Sequence, residues 1–244
     1  LHIVGKAIKF KIVGTGYEPM PPGFDPEDGT VSRAVATCPV CGGVVDDKTT
    51  RQLFQKGNAG QRMVAVVTSK AGTSGKGYRI ATDNDMGNFK AAEEYLKEKR
   101  ITLMEEWGID PVPDEGLVRT GANQMAVLHY GIYEFGHLSN TRQSLTLITF
   151  TEIIRKTYGQ LLRSNCSNDY AKALVSYLAL GLSRLATYEC VLTRWRADVL
   201  SFERAFDRQA LSMIWDYGEV NPFSVARGKW EIEPIQKVIV HTST

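Results

Sequence analysis

Thr141-Arg142-Gln143-Ser144-Leu145-Thr146-Leu147-Ile148-Thr149-Phe150-Thr151-Glu152-Ile153-Ile154 opens the segment whose reading decides the fold. Leu145, Ile148, Phe150, Ile153, Ile154 and Leu161 recur at helical spacing and give a broad apolar face, so a helix is expected from Thr141 to about Ser164. Ser164–Asn168 is a polar break. Asp169 is expected to cap a second helix to about Thr193, with Leu174, Tyr177, Leu178, Gly181, Leu185 and Tyr188 keeping the same period. Two such helices joined by a short loop make an αα-hairpin.

Outward from the hairpin, the chain changes character near residue 85. Before that point turn residues and short alternating runs dominate. His2–Val13 alternates apolar and polar as a half-exposed strand does, and four of the nine prolines make 14–29 an irregular loop. Val31–Thr37 and Gly43–Asp46 read as the arms of one small hairpin, Arg62–Thr68 and Tyr78–Thr82 as the arms of another. After it helices take over. Asn88 is placed to cap a helix to about Lys99, in which Glu93 and Lys97 stand at the supportive i,i+4 spacing. Asp110–Gly116 is a rigid Pro-containing loop, Tyr130–His137 an aromatic, glycine-spaced entry to the long helix, and Gln236–Val240 a candidate strand. The expected architecture is α+β: a β-rich, zinc-ribbon-like module of small antiparallel strands over residues 1–85, followed by a mainly helical module over 86–244.

Composition is that of an ordinary globular protein. The 244 residues (27.1 kDa) are 43% hydrophobic and 23% charged, with a formal net charge of +2, so nucleic-acid contact would need a local patch rather than bulk basicity. No apolar stretch approaches the roughly 20 residues that span a bilayer. Four cysteines without paired spacing, and no secretory signal, lead to the expectation of a cytoplasmic protein with no membrane partner.

Four features bear on chemistry. Cys38-Pro39-Val40-Cys41-Gly42-Gly43 is a zinc knuckle, a tight turn that points two thiolates at one metal, yet a structural zinc takes four ligands. Cys166 and Cys190 stand singly and read as core residues, so Cys38 and Cys41 form half a zinc site and tight binding is not expected. Ala71–Gly77 is glycine-rich but lacks the Walker spacing, and reads as a hairpin turn. Arg142, Arg194, Arg196, Arg204 and Arg208, interleaved with Trp195 and Phe206, are candidate phosphate contacts, although arginines at helix ends commonly bond carbonyls instead. Trp215, Asp216, Glu219 and Asn221 lie in the dense segment Met213–Ser224 and are candidate pocket residues. The alternative is a helix C-terminus closed by Asn221-Pro222, with Trp215 and Phe223 buried.

The Cys-Pro-Val-Cys-Gly knuckle, Arg62–Thr68, Tyr78–Thr82, Tyr130-Gly131, Phe135-Gly136, Thr141-Arg142-Gln143, Arg208-Gln209-Ala210-Leu211 and Trp215–Phe223 occur in one order. That succession resembles the middle region of adenine-specific DNA methyltransferases that contain an inserted zinc ribbon, over about residues 30–224. The resemblance implies S-adenosylmethionine as cofactor and DNA adenine as substrate of the full enzyme. It also implies a catalytic methyltransferase domain outside this chain and a first ribbon knuckle upstream. The chain contains no Phe-x-Gly-x-Gly cofactor loop and no Asp-Pro-Pro-Tyr. It starts at Leu1 in a strand-like run, so it is expected to be a piece of a longer protein, not catalytic by itself. Its expected work is to contact DNA and orient the substrate. The alternative is a protein-interaction or scaffold module packing on a methyltransferase core or another subunit.

Overall fold

The computed structural model describes residues 1–69, 75–117, 125–207 and 210–224. Its elements are four small antiparallel sheets and four α-helices, a mixed α+β class. Two compact units divide the chain. One comprises Leu1–Asn88 and Ala126–Ile132; the other comprises the described residues within Phe89–Met125 and Tyr133–Thr244.

In the first unit, β1 (His2–Val4) and β2 (Ala7–Lys9) pair with His2 opposite Lys9. The alternating run expected as one strand is therefore two. Gly5, at φ +60, makes the tight left-handed turn that reverses the chain between them. β3 (Val31–Ser32), β4 (Val35–Thr37) and β5 (Val44–Val45) form a three-stranded sheet with the knuckle between β4 and β5, but the expected single arm Val31–Thr37 is two strands, reversed at Arg33 and Ala34, which take φ +50 and +68. α1 (Asp47–Gln55) follows directly. Asp46 caps it, its carboxylate accepting from Thr49 N–H at 2.7 Å. β6 (Ala65–Thr68) and β7 (Gly77–Ile80) form the second expected hairpin, although residues 70–74 of its turn lie outside the described residues.

α2 (Asp83–Trp107) starts five residues earlier than the Asn88 expectation and runs eight beyond Lys99. Its first turn explains the start. Thr82 N–H donates to Asp85 Oδ2 at 2.8 Å while Asp85 N–H donates back to Thr82 Oγ1 at 3.3 Å, a reciprocal cap. Arg79 grips the same carboxylate, and together these bonds hold it far below the usual carboxylate range. Gly108, at φ +71, terminates the helix and donates to the Met104 carbonyl at 2.9 Å.

In the second unit, α3 (Thr141–Arg163) and α4 (Asn168–Ala186) form the αα-hairpin that the apolar period demanded. Asn140 caps α3 through a full capping box: its side chain accepts from Gln143 N–H and the Gln143 side chain accepts from Asn140 N–H, both at 2.9 Å. Ser167, rather than Asp169, caps α4, accepting from Tyr170 N–H at 3.3 Å. Ile148 on α3 and Ala171, Gly181 and Leu185 on α4 are buried, the two small residues allowing close approach. Leu138, Tyr188, Leu192, Leu211 and Val220 complete this core. Each such Leu or Ile contributes about 1.5–3 kcal/mol by leaving water.

α4 ends at Ala186, not near Thr193. The chain past it is tied to the start of α3 instead: Val191 N–H donates to the Leu138 carbonyl at 2.7 Å, and Ser139 Oγ donates to the Glu189 carbonyl at 2.6 Å. Beyond, the described residues form only β8 (Trp195–Arg196) and β9 (Ser201–Phe202), a hairpin. The described residues of 187–224 contain no helix, so the Asn221-Pro222 segment does not close one. Trp215 is exposed and Phe223 is 80% exposed, which overturns the expectation of a buried pair. Gln236–Val240 lies outside the described residues. No helix among the described residues is long and apolar enough to cross a membrane.

Candidate functional site

The second unit gathers an unusual density of buried polar side chains where α3 begins. Asn140, Gln143, Ser144, Glu189 and Thr193 are all at least nine-tenths buried. Asn140 Nδ2 donates to Tyr217 Oη at 2.9 Å and also to Glu219 Oε1. Arg142, one residue into α3, donates from Nε to Glu219 Oε2 at 2.5 Å. Its guanidinium also stands 5.7 Å from the centre of the Phe89 ring. The Glu219 carboxylate thus joins two segments 77 and 79 residues apart in the chain. Gly218 N–H, next to it, donates to the Thr193 carbonyl at 2.8 Å.

Glu189 sits behind this lock. Its side chain is 2% exposed, and among the described residues no group bonds its Oε1. Burial, reinforced by repulsion from Glu219 and partly offset by Arg142, pushes its carboxyl up to about 8. At neutral pH Glu189 therefore holds a proton. The same burial raises the Tyr217 hydroxyl, with Glu219 adding to the rise and Asn140 opposing it. Gln143 Nε2 is also buried and unbonded among the described residues.

The sequence-selected residues divide sharply. Arg142 and Glu219 meet. Trp215, Asp216 and Asn221 remain exposed and do not gather into a pocket with Glu219. Asn221 Oδ1 instead accepts from Phe223 N–H at 2.9 Å, shaping the turn at the end of the segment. The Phe223 ring stacks on Phe150 at 5.8 Å. Arg194 pairs with Glu203 at 2.5 Å, Arg196 with Asp198, and Arg204 with Asp207 at 3.0 Å. Every described candidate phosphate contact thus has an acidic partner, and the β8–β9 region carries little net positive field. Arg208 lies outside the described residues.

The knuckle is well formed. Cys38 N–H donates to the Gly43 carbonyl at 2.8 Å, and Gly42 N–H donates to the Cys38 carbonyl at 2.9 Å. Gly42 takes φ +70, and a Cβ on Gly43 would press on Cys41 Sγ at 3.3 Å, so both glycines shape the turn. Amides of Cys41 and Val40, with the Cys41 thiol, hold the Cys38 thiol below its ordinary range. Among the described residues no group of three His, Cys, Asp or Glu gathers at one point, and Cys38 and Cys41 supply two of the four ligands that a tetrahedral zinc takes. Cys190 is the opposite case, its thiol pushed by burial up to about 12.

No family model, curated protein or solved structure matches the chain. A Cβ on Gly218, the glycine at the lock, would meet Phe202 Cε1 at 1.8 Å, so the Phe202 ring packs directly on the backbone there. Sequence reasoning missed Asn140 and Glu189. The capping-box pattern Asn140-x-x-Gln143 was available, whereas nothing local marks Glu189.

Proposed function

We propose that this chain is the substrate-orienting region of an S-adenosylmethionine-dependent adenine-N6 DNA methyltransferase, contacting DNA beside a catalytic domain outside the chain. One observation carries the reading. Thr141-Arg142-Gln143 and Trp215–Phe223, two motifs on which the methyltransferase resemblance rests, are joined by the single carboxylate of Glu219. A half-buried, hydrogen-bonded lock between distant motifs is what fixing an exposed segment in register requires. The exposed end of that segment, Asn221–Phe223, is the part presented to substrate.

The arginine ion pairs set the expected strength. Exposed pairs contribute about 0–1 kcal/mol each, so phosphates can displace the acids, but the gain is small. Duplex binding measured by fluorescence anisotropy is expected to be weak and salt-sensitive. With about three phosphate contacts, affinity falls ~40-fold between 50 and 200 mM salt. Arg208→Ala weakens it regardless of sequence. Absence of detectable binding, or binding indifferent to salt, removes the DNA role.

A second reading, a scaffold module packing on a methyltransferase core, is favoured by Ile153 and Leu162, which α3 leaves exposed. Under that reading the chain binds a catalytic domain and not DNA.

A further inference from the structure

α4 is apolar around more of its circumference than α3 covers. Ala171, Gly181 and Leu185 are buried, while Tyr170, Ala173, Tyr177 and Leu180 lie on an adjoining face and are exposed. Tyr170 is 59% and Leu180 58% exposed. The spacing of that outer set is three, four and three residues, the seam of a two-helix contact rather than a scatter of surface residues. With 19 residues, about 28 Å long, α4 offers four consecutive layers to a partner.

We infer that this face pairs with α4 of a second copy of the chain, antiparallel about a two-fold axis that crosses the stripe midway between Ala173 and Tyr177. The stripe is complementary to its own reverse. Antiparallel pairing sets Tyr170 against Leu180 of the second copy and the small Ala173 against the large Tyr177 of the second copy, and two-fold symmetry repeats both layers. It also brings Asp169, at the helix N-terminus, within one turn of Arg184 of the second copy, at the helix C-terminus, and opposes the two helix dipoles. Parallel pairing would instead stack Tyr170 on Tyr170, Asp169 on Asp169 and Arg184 on Arg184. Charge and side-chain size therefore select the antiparallel second copy. This goes beyond the proposed methyltransferase role and does not depend on it.

The test is sedimentation equilibrium of the chain from about 1 to 200 µM, a range that brackets a small transient interface. A monomer–dimer equilibrium is expected. Leu180→Glu, a change at an exposed position, should weaken it at least tenfold without altering the helical circular dichroism. Asp169→Arg and Arg184→Asp should each associate poorly alone, yet restore the dimer when mixed, because only the mixed pair opposes unlike charges at both ends. A chain that stays monomeric throughout overturns the inference. So does a dimer indifferent to Leu180→Glu, and so does a mixture that fails to associate while both variants remain folded. A monomeric chain that captures an isolated catalytic domain through Leu180 would assign the face to that domain instead.

Discussion

The knuckle and the α3 lock place chemically demanding side chains in opposite ways. Around Cys38 and Cys41 the backbone does most of the arranging: amides bond the sulfur, two glycines shape the turn, and Cys41 is exposed. Around Glu219 side chains arrange each other, with Asn140 and Arg142 converging on one carboxylate, Tyr217 accepting from Asn140, and Glu189 enclosed behind them. A backbone-built turn tolerates loss of a side chain because little is buried with it. A buried polar network does not, since each lost partner strands another group away from water. The first region is locally specified and replaceable. The second binds distant parts of the chain into one unit.

Glycine substitution is the severest way to break that contrast. Gly218→Val drives a Cβ into the Phe202 ring, itself packed edge-on against Trp195 at 5.0 Å. Urea unfolding should register a loss of about 3 kcal/mol. Gly42→Ala in the knuckle meets no atom within 4 Å and strains only the backbone at φ +70, so about 1 kcal/mol is expected. Equal costs would erase the distinction.

Glu189 sharpens it through pH. Its carboxyl is raised from 4.5 to about 8, so between those values the folded chain holds a proton that the unfolded chain releases. Stability from this group is complete below pH 4.5, falls as pH rises, and is gone above about 8. Glu189→Gln keeps the shape without the charge and should raise stability at pH 9 by about 2 kcal/mol, flattening the profile. A variant that tracks the wild type from pH 5 to 9 would mean that Glu189 is not the group responsible.

Smaller effects follow from the cap and the thiols. Asn140→Ala removes the α3 cap and two donations to the lock, and should cost about 1–2 kcal/mol by thermal unfolding. Cys38→Ser should move stability by less than about 0.5 kcal/mol. Alkylation rates separate the thiols more clearly: Cys38 should react at lower pH than an ordinary thiol, and Cys190 only on unfolding. Rapid alkylation of Cys190 in the folded chain would contradict its burial.

Much of the frame was legible in the sequence. The period of Leu145, Ile148 and Leu161, and of Leu174, Leu178 and Leu185, gave two helices, because a buried stripe writes itself at 3.6-residue spacing. The knuckle and both flanking hairpins were equally local. α1 was not read, because its nine residues show little apolar period beyond Leu53 and Phe54 and depend on the Asp46 cap. The lock was half legible. Arg142 and Glu219 each stand out, but their meeting is a tertiary event across 77 residues that no local pattern encodes. The arginine pairs show the reverse failure: Asp198, Glu203 and Asp207 stand within nine residues of their partners, so the acids that offset these cations are themselves local.

The proposed role of the lock is to hold Asn221–Phe223 for the adenine substrate. Its most direct measurement is the N6-methyladenine content of DNA from cells expressing the gene that encodes this chain, compared with Glu219→Gln. A glutamine at that position would keep the bond from Arg142 weakly and lose the charge, which removes roughly 1–2 kcal/mol of the lock. N6-methyladenine above background is expected with the wild-type gene, and about tenfold less with Glu219→Gln at equal protein level. No N6-methyladenine from the wild-type gene, or undiminished methylation from the variant, would contradict it.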